Sequence, residues 1–334
     1  MAPVCGFVRG VLPALEGWAG SRYPDAVLKA LPRDSVEAAR VPASVHLALE
    51  GTASSVRLDF TRGDPLAYAA PTTEAEFFAV AGQDVVRTPV PESGGSVEIA
   101  LPAREAGESV RVYLPERSDL RLQALTPLDG EIGPVSTRRP LWVAYGDSIT
   151  QGWSVEGAES SWVRRIAGRF GLELVNLGLA GSARGEQPAA VAVSESGAEI
   201  VTVSWGTNAW STVPTDPDQI RHTMRVFLAT VRQGLPTAPV IVASPVVRPQ
   251  AEDAPNRYGA TLKDLRTAME DAVEEFVSMH SDKGVTLVRG LELVGAAELV
   301  DGIHPGDVGH GTMADRLAPF IESALASLAT TASE

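Results

Sequence analysis

The sequence predicts two unlike halves: an all-β sandwich, then an α/β domain with a five-stranded parallel sheet covered by helices on both faces. Three observations lead there. Up to about residue 137, short runs with apolar residues at alternate positions are separated by Gly, Pro and Asp, the pattern of an antiparallel sandwich. Beyond it, five apolar runs alternate with stretches whose apolar residues recur every three or four positions, as in strands joined by crossover helices. Between them, "PVSTRRP" (134–140) has the composition of a connector. At 334 residues the chain has room for two domains of about 150 each, so the expected division is a sandwich over 1–137 and an α/β domain over 138–334.

In the first half the strand runs are 44–51, 54–64, 74–82, 96–102 and 108–115. Within "SVRLDF", Val56, Leu58 and Phe60 alternate with Arg57 and Asp59, which makes one face apolar and the other wet. The runs of the second half are "LWVAYG" (141–146), "LELVNLG" (172–178), "EIVTVSWG" (199–206), "PVIVASP" (239–245) and "VTLVRG" (285–290). They are largely apolar, as strands buried on both faces must be. Trp162, Ile166 and Phe170 share one helix face. "TDPDQIRHTMRVFLATVRQG" opens a helix with Asp216 as N-cap, Pro217 at the first position and Gln219 at the third. It turns Ile220, Phe227, Leu228 and Val231 inward and can end on Gly234 as its cap. Helices over 259–280 and 312–328 complete the domain, the last with a bend expected at Pro319.

Composition narrows the function. A chain 44% hydrophobic and 21% charged can bury a sizeable core. Its net charge of −14 speaks against nucleic acid or an anionic membrane surface as the main partner. Cys5 is the only cysteine, which excludes an intrachain disulfide and a cysteine-based metal site. No apolar run approaches the ~18 residues of a membrane span. The N-terminus lacks a basic leader and a sustained apolar segment, so a cytoplasmic location is expected.

The chemistry concentrates in the second half. The run Leu141–Gly146 breaks into Gly-Asp-Ser, which is either an ordinary helix cap or a serine nucleophile held at the carboxyl end of a parallel strand. A nucleophilic Ser148 needs a base, and the base needs an orienting partner. His46 is alone in the first half, and His222 and His280 fall on expected helices. His304 in "DGIHPGDVGHG" follows Asp301 by three residues, a spacing at which a turn can bring carboxylate and imidazole together. Two further turns can offer donors to a developing oxyanion: "NLGLAGSAR", through the Gly181 N–H, and "SWGTNAW", through the Asn208 amide.

Gly-Asp-Ser after the first strand, Gly after the second, Gly-x-Asn after the third and Asp-x-x-His after the last occur in one order. With the blocks "GDSIT", "NLGLAG", "GTN" and "DGIHP", the sequence over roughly 140–328 resembles the GDSL, or SGNH, hydrolase family. The resemblance implies a flavodoxin-like three-layer α/β/α fold with Ser148 as nucleophile. It implies His304 as general base and then acid, with Asp301 as its orienting carboxylate. The Ser148 N–H, the Gly181 N–H and the Asn208 amide would form the oxyanion hole, and Asp147 would hold the serine turn. No metal or organic cofactor is implied. Many members carry Asp after the Asn of the third block; here it is Ala209, which leaves the triad whole but removes a local support for Asn208. The β-rich first half resembles the sandwich that precedes the catalytic domain in some two-domain actinobacterial members. One such group acts as acyltransferases in antibiotic biosynthesis.

The expected activity is hydrolysis of an acyl ester of a small molecule or carbohydrate by a serine esterase. The alternative is acyl transfer to an alcohol acceptor, which differs only in what attacks the acyl-enzyme. A third reading, a carbohydrate-binding protein with a relic hydrolase domain, has the intact Ser148, Asp301, His304 and Asn208 set against it. Substrate choice falls to the loops 151–160, 182–188, 209–216 and 246–258. There Trp153 and Trp210 are candidate pocket walls, and Arg184 and Arg248 candidate partners for an anionic substrate. The first half is expected to shape or cover the site without supplying catalytic groups, so a fragment from about Leu141 should carry the site by itself.

Overall fold

A computed structural model describes residues 2–13, 15, 18–70, 75–105 and 107–331; position 74 of the expected 74–82 run lies outside them. The first half contributes β1 (Ala2–Pro3), β2 (Val8–Arg9), α1 (Asp25–Leu28), α2 (Arg33–Ala39), β3 (His46–Gly51), β4 (Ser55–Pro65) and β5 (Glu76–Ala81). It continues through β6 (Asp84–Pro89), β7 (Gly95–Ala100), β8 (Val110–Tyr113), β9 (Ser118–Pro127) and β10 (Ile132–Pro134). Two antiparallel sheets result, in the orders β1-β9-β4-β7 and β10-β3-β8-β5-β6, with β2 beside β3. The alternation in β4 sets their packing. Val56, Leu58 and Phe60 are buried and share one core with Leu47 and Leu49 of β3, Phe77 of β5 and Val112 of β8. The two sheets therefore close face to face, as in a sandwich.

The second half is β11 (Leu141–Gly146), α3 (Ser148–Gln151), α4 (Trp162–Phe170), β12 (Glu173–Gly178), α5 (Gln187–Ser194) and β13 (Ile200–Ser204). It ends with α6 (Pro217–Gly234), β14 (Val240–Ala243), α7 (Pro249–Glu252), α8 (Leu262–His280), β15 (Val285–Val288) and α9 (Asp307–Thr331). The five strands are parallel in the order β12-β11-β13-β14-β15. Strand order reverses between β11 and β13, and open α/β sheets hold their ligands at the carboxyl ends of such a pair. Side chains of β11 alternate between layers. Trp142 and Ala144 pack with α4 and α9 through Trp162, Ile166, Met313 and Leu317. Val143 and Tyr145 face α5, α6 and α8 through Val193, Phe227 and Met269.

Two expectations about helix ends change. Asp216 and Gln219 do form the reciprocal capping box that starts α6. Gly234, however, is the last helical residue and Leu235 the cap. A Cβ at Gly234 would lie 2.2 Å from the Ser194 carbonyl oxygen, so glycine is there to let α6 approach the end of α5. Helix α9 begins at Asp307, earlier than expected, and runs on through Pro319.

The division at 137 does not separate the two cores. Tyr23, Val27, Ala38 and Ala39, from the segment that carries α1 and α2, pack in the parallel-sheet core with Leu177 and Ala189. Arg22, wholly buried, donates to the carbonyls of Asn176 at 2.6 Å and Gly178 at 2.7 Å, and to Ala38 at 2.8 Å. The Tyr23 hydroxyl donates to Leu177 O at 2.9 Å. β12 is an edge strand, and an edge left bare presents unpaired backbone groups. A segment read as part of the sandwich thus closes one edge of the other domain's sheet.

Candidate active site

Strand register assembles the site. Gly146 at the end of β11 lies opposite Gly178 on β12 and Ser204 on β13, so three loops leave the sheet at one level. β11 passes directly into α3. Asp147 is the N-cap, accepting from Ile149 N–H at 3.0 Å and donating its own N–H to Ser204 O at 3.1 Å. Burial raises the Asp147 carboxyl to about 6, against the N–H bonds from Ile149 and Thr207. Ser148 is therefore the first helical residue, where a backbone N–H has no intrahelical partner.

The loop after β15 brings His304. Asp301 Oδ1 accepts from the N–H groups of Ile303 at 2.9 Å and His304 at 2.7 Å, a side-chain turn that folds the loop back on itself. The other oxygen, Oδ2, meets His304 Nδ1 at 2.7 Å, and His304 Nε2 lies 2.9 Å from Ser148 Oγ. Burial lowers the His304 pKa below the ordinary value; the Asp301 hydrogen bond and charge oppose this, and Arg248 adds to it. The imidazole is thus neutral near pH 7 and able to accept a proton. For Asp301, burial pushes upward, but the hydrogen bonds and charge of His304 and the Ile303 N–H outweigh it, and its pKa falls.

Gly181 and Asn208 line the same cleft as Ser148 and His304, a cavity of about 340 Å³. Gly181 sits at φ +67°, where a side chain is strained, so its bare backbone faces the cleft beside Tyr68. The Asn208 Nδ2 is buried with no hydrogen-bond partner among the described residues. Such an orphan donor is costly unless something arrives to accept from it. Support for Asn208 is rebuilt without an acid at Ala209. Its carbonyl accepts from Ser211 and Val213 N–H, and Asn256 Nδ2 donates to Thr215 O at 2.8 Å and Ala209 O at 3.4 Å.

Of the four expected substrate contacts, two reach the cleft. Trp153 lines it, with its ring 5.6 Å from the His304 ring, and Arg248 lines it too. Trp210 lies behind Arg248, with the guanidinium 4.9 Å from its ring and its N–H given to Ala254 O. Arg184 points elsewhere, its guanidinium taken by Asp34 of α2 and by Glu186. The sequence predicts a first half that shapes or covers the site but names none of its residues there. Ala67 and Tyr68, just beyond β4, line the cleft together with Ser148 and His304. Gln151 fixes that wall, donating to Tyr68 O at 2.8 Å while its oxygen accepts from Ala180 N–H at 3.1 Å. His310, also unassigned by sequence, accepts from Trp162 N–H and bonds Trp153 O, both at 3.2 Å, and so braces that tryptophan.

Half of the chain, residues 144–311, matches the GDSL-like lipase/acylhydrolase family. The protein belongs to that family. No curated protein matches this GDSL-like chain. Among solved structures it is similar to the salicylyl-acyltransferase SsfX3 from a tetracycline biosynthetic pathway, at 20% identity and a TM-score of 0.78 over 96% of this chain and 94% of that one. A Bacteroides ovatus protein described as a GDSL-like lipase gives 20% identity and a TM-score of 0.76 over 97% of both chains. A family two carbohydrate esterase from Clostridium thermocellum gives 16% identity and 0.62 over 84% of this chain and 92% of that one. These likenesses span both halves of the GDSL-like chain and establish its fold.

Proposed function

We propose that the protein is a serine esterase that hydrolyses an acyl ester of a small molecule or carbohydrate through an acyl-enzyme on Ser148. The observation that carries this reading is the unbroken relay from Asp301 Oδ2 through His304 to Ser148 Oγ, at 2.7 and 2.9 Å, opening on a cleft with the unpartnered Asn208 amide. Ser148 Oγ attacks the ester carbonyl carbon and its proton passes to His304 Nε2. The carbonyl oxygen becomes an oxyanion facing the N–H groups of Ser148 and Gly181 and the Asn208 amide. Collapse breaks the bond to the alcohol, which leaves with the proton from Nε2. Water then gives a proton to Nε2, attacks the acyl carbon, and releases the acid as Ser148 recovers its proton. The Asp301 carboxylate stays ionised throughout and holds the imidazole in the tautomer that presents a bare Nε2 to the serine.

Acyl transfer is the second reading, favoured by the wall that Ala67 and Tyr68 add to the cleft and by the two-domain fold shared with a salicylyl-acyltransferase. The chemistry is the same until an alcohol takes the place of water. Hydrolysis of p-nitrophenyl esters of graded chain length, with and without alcohol acceptors, separates the two. Ser148→Ala should abolish turnover while the fold persists, and a fluorophosphonate should label Ser148 alone. Labelling of another serine in the Ser148→Ala variant would overturn the assignment.

A further inference from the structure

Among the described residues four arginines are buried, and three direct their guanidinium groups at acceptors within the fold, although Arg22 Nε and Arg164 Nη1 have no partner. Arg164 meets Glu116 at 2.7 Å, Arg266 meets Glu252 at 2.7 and 2.8 Å, and Arg22 closes on three carbonyls. Arg248 differs. It is 8% exposed and, like Arg22, has no carboxylate within ion-pair distance among the described residues, but unlike Arg22 it does not close on backbone carbonyls and it lines the cleft. Its Nη1 donates to Ser211 Oγ at 2.9 Å, and its plane lies 4.9 Å from the Trp210 ring. The Gln250 amide, in the orientation that satisfies both its ends, accepts from Arg248 Nε at 3.2 Å and donates to Gly302 O at 3.1 Å, beside the catalytic turn. Glu252 accepts the Arg248 backbone N–H, but its carboxylate is engaged by Arg266. The nearest acid by charge is Asp301, which is held by His304. A guanidinium is thus fixed by neutral groups on one side and open to the cleft that Ser148 lines on the other.

We infer that Arg248 binds a carboxylate on the substrate, so the ester cleaved by this protein is an anionic one. Burying an arginine without an anion is costly. A charge-assisted bond to a carboxylate offsets that cost only when substrate is present. The protein as a whole carries −14, so this local cation also supplies the attraction that the rest of the surface withholds from an acid. The inference rests on the esterase reading for its site and adds the class of substrate.

The carboxylate can sit on the acyl part or on the alcohol part, and two ester pairs tell these apart. For the acyl part, mono-4-nitrophenyl glutarate is compared with 4-nitrophenyl pentanoate; for the alcohol part, 4-acetoxybenzoate with its methyl ester. The charged member of one pair should be preferred at least tenfold in kcat/KM, and Arg248→Gln should bring that ratio to about one, with partial recovery in Arg248→Lys. Equal rates within both pairs, or a ratio that Arg248→Gln leaves unchanged, overturn the inference. A readout independent of turnover uses calorimetry on Ser148→Ala with glutarate and benzoate against glutaramide and benzamide. At least one acid should bind and its amide should not, and Arg248→Gln in that background should remove the binding. Absence of binding by both acids overturns the inference even where fluorophosphonate labelling upholds the esterase. Failure of that labelling overturns the esterase reading and leaves the calorimetric result to stand by itself.

Discussion

On the proposed esterase reading, the orphan amide of Asn208 meets a charge that exists only during the reaction. Asn208→Ala should therefore lower kcat by about a hundredfold to a thousandfold with little change in KM, measured by steady-state hydrolysis of a p-nitrophenyl ester. A rise in KM at near-normal kcat would make Asn208 a ground-state contact instead. Asp301 acts by another route. Its hydrogen bond and charge hold the His304 pKa up against burial. For the intact protein kcat/KM should rise with pH through a value below the ordinary ~6.5 of histidine, because only neutral His304 accepts the serine proton. Asp301→Asn removes the raising influence, so the limb should move to still lower pH while the rate falls by ~10⁴-fold through loss of the tautomer. A limb that moves upward would contradict this sign. Ser148, Asp301, His304, Gly181 and Asn208 were all legible, because their residue types recur at the ends of readable strands. Tyr68 and Gln151 were not, since a wall residue carries no reactive group by which sequence can mark it.

At the scale of elements, the loop levels depend on how closely α3 lies on β12. A Cβ at Gly178 would stand 2.4 Å from the Gln151 N, which is backbone and cannot swing aside. Gly178→Ala should push α3 off the sheet, costing about 1–3 kcal/mol in chemical denaturation and sharply slowing fluorophosphonate labelling of Ser148. Unchanged labelling would show that α3 is not seated by this contact. A long periodic element such as α6 was readable from capping residues and apolar spacing. α1 and α2 were not, because helices of four and seven residues hold too few turns for a period to show. Both follow a proline, Pro24 and Pro32, which marks a boundary without saying what begins there.

Across the whole molecule the halves are joined by buried polar bonds. Arg164 of α4 reaches Glu116 and Ser44 Oγ, and Asn176 Nδ2 meets the same hydroxyl at 3.3 Å while donating to Thr150 O of α3 at 2.9 Å. Arg22 covers the β12 edge. Arg22→Met should leave three buried carbonyls without their donor and cost about 3 kcal/mol or more, seen as a lower denaturation midpoint. The fragment 138–334 loses this cover together with Tyr23, Val27 and Ala39 from the core. It should fail to give a cooperative unfolding transition and should not label with fluorophosphonate. A stable, labelled fragment would show that the first half is dispensable after all.

The sequence by itself determined the sandwich, the parallel sheet and the residues of the candidate site, because strand period, apolar runs and motif order are local properties that survive without knowledge of contacts. Only the tertiary structure decided that residues 22–39 belong to the second core, that Tyr68 walls the cleft, and that Arg248 faces it while Arg184 does not. Each of these depends on which distant group fills a hydrogen bond or covers a strand edge. Pairing across a hundred residues or more is settled by packing, and one-dimensional pattern holds no record of it.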